Sequence, residues 1–192
     1  MNKREIVEFV ENKSFSEDER WFLHATGKDI DTIKKIIDGG ILCAHLMNTE
    51  NSVGCNGQYY ISLYKNDHNS RALRQRFEKD VKFIVHGIKP HYAKREKKAS
   101  RLFYIDTRIP LRTSDWDGEY QQYLRISPDK FIGIDYQLSL ILSSLNADEI
   151  EDEITFLKSL SLYLKNIGSF LPIYDLASHK EIDKDKVLSI IL

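Results

Sequence analysis

Apolar residues recur along this chain at two spacings, and the changes between them mark out its elements. In residues 3 to 12, Ile6, Val7, Phe9 and Val10 gather on one side of a short helix. Trp21, Phe22 and Leu23 form a brief apolar run that predicts a strand. Behind Asp29 or Asp31, either suited to cap a helix, Ile30, Ile33, Ile36 and Ile37 return on one face. Gly39 and Gly40 end that helix, because glycine tolerates the left-handed geometry of a C-terminal cap. Residues 43 to 57 are rich in Asn, Gly, Ser and Thr and read as irregular. The run YYISLY then shifts to a β pattern, with a polar helix expected over 70 to 79. KFIVHGI (82 to 88) and RLFYID (101 to 106), with a basic loop between them, predict two further strands. EYQQYLRI (119 to 126) and KFIGIDY (130 to 136) predict a pair joined at Ser127, Pro128 and Asp129, where proline suits a turn.

Past residue 136 the pattern becomes helical. Residues 137 to 145 are apolar and serine-rich. From Asp148 onward, Ile150, Ile154, Leu157, Leu160, Leu164 and Ile167 share a helical face. Gly168 and Pro172 break that helix, and residues 183 to 191 predict a last short one. Strands cluster in the middle and helices at the end, with no internal repeat. This order predicts an α+β fold rather than a βαβ array.

Composition narrows the class. The 192 residues suffice for one domain with a real core, and 42% hydrophobic with 30% charged residues read as an ordinary soluble globular protein. A net charge of −1 makes no global electrostatic case for nucleic acid. Lys94, Arg95, Lys97, Lys98 and Arg101 form a basic run, and Asp148, Glu149, Glu151, Asp152 and Glu153 an acidic one. Each reads as a solvated face or loop. Cys43 and Cys55 lack CxxC spacing, which favours reduced thiols in a cytosol-like compartment. No secretory leader and no membrane span is expected. His45, His68, His86 and His91 match no standard ligand spacing, so no metal is expected. Walker A, G-x-G-x-x-G and G-x-S-x-G motifs are all missing, which excludes a Rossmann-type cofactor site and a hydrolase elbow.

Three segments carry the candidate chemistry: FLHAT with its helix and GGIL stop, GQYYISL (57 to 63), and DGEYQQYLRISPDKFIGI (117 to 134). In this order and at these distances they resemble the ADP-ribosyltransferase superfamily, in the branch whose signature is His, Tyr and Glu. That branch includes diphtheria-type toxins and poly(ADP-ribose) polymerases. The opening segment also looks like that of DNA-modifying bacterial ADP-ribosyltransferase toxins. The resemblance spans residues 21 to about 136 and rests on joint occurrence, since each motif alone is short and degenerate. Singly, His24 reads as a core histidine, Glu119 as a solvated carboxylate, one of Tyr59 and Tyr60 as core, and Thr26 as a turn residue.

The resemblance implies a split, twisted antiparallel sheet with flanking helices, NAD as co-substrate in the cleft, and a helical extension over 137 to 192 packed on the 1 to 136 domain. His24 would bond a hydroxyl of the adenosine-side ribose, and the Ala25 backbone would hold the nicotinamide carboxamide. Tyr59 would stack on the nicotinamide. Thr26, Tyr60 and Ser70 complete the implied NAD-contacting set. Glu119 would grip the nicotinamide-side ribose and stabilise the positive charge developing at the sugar. Trp116 and Asp117 would face the acceptor; D-x-E stands where arginine-modifying relatives have E-x-E, which leaves the modified side chain open.

The implied activity is mono-ADP-ribosylation of a macromolecule, a protein before a nucleic acid. By analogy the chain most resembles a bacterial toxin or effector acting in a cytosol, its own or a target cell's. One alternative is an NAD-dependent RNA 2′-phosphotransferase, with Arg71, Arg74 and Arg76 as phosphate ligands. The other is an inactive module of the same fold, recruiting a partner through the 148 to 167 helix.

Overall fold

The computed structural model describes residues 21–47, 59–65, 81–92, 119–136, 138, 147–175 and 180–190. The helices expected over 3 to 12 and 70 to 79, the strand at 101 to 106, the basic run and the 137 to 145 segment lie outside those residues or almost wholly so. The same holds for Ser70, Trp116, Asp117, the three arginines and Cys55.

Among the described residues ten strands and three α-helices follow one another: β1 (Phe22–Thr26), α1 (Ile30–Gly39), β2 (Ile41–Leu42), β3 (Tyr60–Lys65), β4 (Val81–Val85), β5 (His91–Tyr92), β6 (Glu119–Tyr123), β7 (Arg125–Ile126), β8 (Phe131–Asp135), α2 (Ala147–Asn166), β9 (Ile173–Asp175), β10 (Lys180–Glu181) and α3 (Lys184–Ser189). A 3-10 turn, Pro128–Lys130, joins β7 to β8 where Pro128 was expected to turn the chain. Eight strands form one sheet in the order β10-β9-β8-β4-β1-β3-β6-β5, and β2 pairs with β7 in a second, small one. Every pairing is antiparallel except β8 with β9. The fold is therefore mixed α+β around a mostly antiparallel sheet.

Helix α1 starts where its cap can form. The Asp29 carboxylate accepts from the Thr32 backbone at 2.8 Å and from the Thr32 hydroxyl at 2.5 Å, which holds its pKa below the usual carboxylate value. Ile33 and Ile37 are buried on its inner face. The helix ends at Gly40, whose φ of 89° is open to glycine and strained for other residues. A β-carbon there would lie 2.3 Å from the Ile126 carbonyl oxygen, so β7 approaches closely enough to pair with β2.

The core lies between one face of the sheet and the helices. Phe22, Ile61, Leu63, Val81, Phe83, Val85 and Ile134 meet Ile33 and Ile37 of α1, Leu157, Leu160 and Leu164 of α2, and Val187 of α3. Trp21, Leu23, Ile84 and Tyr174 form a smaller second cluster. The tail departs from a purely helical extension: β9 and β10 add two strands to the edge of the large sheet. The acidic run also departs in part from a solvated face, because Glu153 is buried on the stripe it shares with Leu157, Leu160 and Leu164. Among the described residues no helix is long and apolar enough to cross a membrane.

The strand expected over EYQQYLRI breaks at Leu124, which has a φ of 59°. Such a backbone costs roughly 1–2 kcal/mol for a residue with a side chain. Two backbone bonds hold it: Leu124 donates to the Tyr59 carbonyl, and its own carbonyl accepts from Cys43, each at 2.9 Å. The kink hands the chain from the large sheet to the small one.

Candidate functional site

The three motif segments supply three neighbouring strands, β1, β3 and β6. Their pairings are unequal. β3 and β6 pair from Tyr60↔Tyr123 through Tyr64↔Glu119. β1 pairs with β4 along its whole length, from Phe22↔Val85 to Thr26↔Val81. With β3, however, β1 pairs only at Phe22↔Lys65 and Leu23↔Tyr64. Past Leu23 the ladder between them stops, and a fork opens in the sheet.

His24 stands at that fork. Its Nδ1 lies 3.0 Å from the Ser62 carbonyl oxygen of β3. A carbonyl only accepts, so Nδ1 carries the proton and Nε2 is left as the acceptor of a neutral ring. Burial lowers the pKa of the ring from its ordinary value, and the Ser62 bond offsets part of that shift. At neutral pH the group is thus an uncharged imidazole of fixed tautomer, able to accept a hydroxyl proton at Nε2. Ala25 and Thr26 continue β1 along the open side, both half-buried.

Tyr60 is buried in β3, and Tyr59 precedes it in a turn. The Tyr59 ring packs on His45 with centroids 4.8 Å apart. Glu119 opens β6, at the register position opposite Tyr64. Tyr60 and Tyr64 are four residues apart along β3, a distance of roughly 13 Å at the rise of a strand. Continued past Leu23, the register sets His24 one step from the Leu23, Tyr64, Glu119 row. His24 and Glu119 therefore stand in adjacent rows of the sheet, with β3 between them, at register positions that belong to opposite faces, while Tyr59 and Tyr60 sit toward the other end.

Two features of this region escaped the pattern of residue types. Tyr64, not Tyr59, shares a rung with Glu119; the Tyr60, Tyr64 spacing on one strand was the available signal. Ser62 contributes a backbone carbonyl, for which side-chain identity offers no signal at all. The row through the fork is also polar. Ala25 is opposite Lys82, Lys82 is opposite Asp135, and on the other side Ser62 is opposite Gln121. Lys82 and Asp135 are both buried, with Nζ and Oδ2 3.7 Å apart.

Among the described residues no group of three or more His, Cys, Asp or Glu side chains is arranged to hold a metal ion. Cys43 is buried and free of any disulfide. Comparison of the chain with protein-family models, with curated proteins and with solved structures found no match.

Proposed function

We propose that this chain is an NAD-dependent mono-ADP-ribosyltransferase acting on a macromolecular acceptor, a protein in the first instance. The observation that carries the reading is the fork between β1 and β3, with His24 at its vertex and the motif strand of Glu119 next to β3. The resemblance calls for a split sheet whose parting strands hold NAD, and a ladder that stops after Leu23 supports that reading. His24 has the right chemistry for its implied role, since a neutral imidazole with Nδ1 engaged presents Nε2 to a ribose hydroxyl. The open side of β1 at Ala25 offers backbone groups to a carboxamide, and Tyr59 with His45 supplies an aromatic surface at the far end.

On this reading the bond from the ribose anomeric carbon to the pyridinium nitrogen breaks, and its electron pair leaves with nicotinamide. Because the leaving group departs neutral, no general acid is required. The anomeric carbon then accepts a lone pair from the acceptor, which gives up its proton. Glu119 offsets the positive charge on the sugar between the two events, in the manner of a preorganised carboxylate.

The test is nicotinamide release from NAD and transfer of ADP-ribose to protein, for wild type beside Glu119→Gln. The expected loss is about 10²-fold or more. Equal turnover by the two proteins would remove Glu119 from the mechanism. The inactive-module alternative gains little from α2, which commits Leu157, Leu160 and Leu164 to the core and, among its described residues, leaves Leu162 as the exposed large hydrophobic.

A further inference from the structure

A second cluster lies where the chain leaves β1. Lys28 is two residues past Thr26, in the loop entering α1. Its ammonium donates to Glu153 of α2 and sits 5.9 Å from the centre of the Phe156 ring. The other Glu153 oxygen accepts from the Tyr136 hydroxyl, one residue past β8. Tyr136 stacks on Phe156 with centroids 5.4 Å apart, and its phenol is fully buried. Desolvation and the Glu153 carboxylate push the pKa of that phenol far up, so it remains a donor.

An apolar side chain at 153 would simply complete the stripe of Leu157, Leu160 and Leu164. A carboxylate there must recover its lost hydration from its partners, and those partners belong to two other parts of the fold. One of them, Lys28, belongs to the segment that needs anchoring. β1 has lost its ladder with β3 after Leu23, so past that point it is held by β4 on one side, by the His24 bond to the Ser62 carbonyl, and by whatever fastens its exit.

We infer that Glu153 and Lys28 are positioning residues for the His24, Ala25, Thr26 segment, with helix α2 as the post to which its exit is tied. The inference rests on the NAD reading of that segment. It gives the C-terminal part of the chain a role in ligand binding from helix α2, outside the strands that form the fork. The tie acts on the ligand-holding backbone and not on the reacting atoms, so its loss weakens NAD binding more than it slows turnover at saturation.

The experiment compares wild type, Lys28→Met, Lys28→Arg, Glu153→Gln and the Lys28→Met, Glu153→Gln double variant. NAD affinity is read by calorimetry, and amide exchange over residues 24 to 29 is read without ligand. Either single change is expected to weaken NAD binding roughly tenfold. The double variant should be no weaker than the worse single one, and Lys28→Arg should restore most of the affinity. Lys28 is partly exposed, so Lys28→Met carries the test should Glu153→Gln fail to fold. Affinity within about twofold of wild type in Lys28→Met would reduce the pair to a structural role and overturn the inference. Wild type that binds no NAD overturns the transferase reading instead. Exchange then decides the tie: faster over 24 to 29 in Lys28→Met upholds it, and unchanged exchange sinks it.

Discussion

Burying an imidazole makes its charge part of the folding equilibrium. The His24 ring has a pKa below its ordinary 6.5 because desolvation outweighs the Ser62 bond. Above that value the ring is neutral whether folded or unfolded, and it adds no pH dependence. As pH falls through 6.5 the unfolded ring binds a proton first, so stability is lost down to the folded pKa. His24→Gln keeps an N–H to offer Ser62 and removes the titration. Wild type should therefore lose stability relative to this variant as pH falls below about 6.5, by up to about 1.4 kcal/mol per pH unit. Urea unfolding at several pH values measures it, and a pH-independent gap would show a solvated ring. His24 itself was legible as the histidine where an apolar run meets a helix. Its partner was not, because a carbonyl has no sequence signature. Glu153 was misleading for the opposite reason: in a string of acids its membership of the leucine stripe is masked by its neighbours.

Elements with strong periodicity or a marked terminus are those that sequence pattern locates well. Helix α1, with Asp29 before it and Gly40 behind it, is such a case, as are β4, β8 and α2. Strands β9 and β10 span three and two residues and exist through pairing with distant partners, so no local pattern announces them. The break at Leu124 is equally silent, since a leucine gives no hint of a positive φ that two long-range backbone bonds impose. The tightest constraint at this scale is Gly40. A methyl group there collides with the Ile126 backbone, which cannot swing aside without parting β2 from β7. Gly40→Ala should destabilise the protein by roughly 3 kcal/mol or more, against a few tenths for Gly39→Ala, where nothing lies within 4 Å of the added atom. Chemical denaturation of the two variants side by side would show it, and equal effects would mean that the turn relaxes.

Across the whole molecule the large sheet consists of two unequal parts. One holds β5, β6 and β3; the other holds β1, β4, β8, β9 and β10, and Ile61 and Leu63 of β3 share with it the core beneath the helices. Two rungs join them within the sheet. Under mildly destabilising conditions, amides of β3 and β6 should exchange as a group distinct from those of β4 and β8. A single exchange free energy for all four strands would mean that the join is stronger than its length suggests. Two rungs are also few for keeping strands from slipping past one another, and a slip of one residue would turn His24 to the opposite side of the sheet. Alignment of β1 is instead dictated by its five rungs with β4, a strand buried along its whole length on the side of β1 away from β3. A lesion in β4 would therefore misaim His24 from a distance, and β4 would tolerate change less than its remoteness from the chemistry implies.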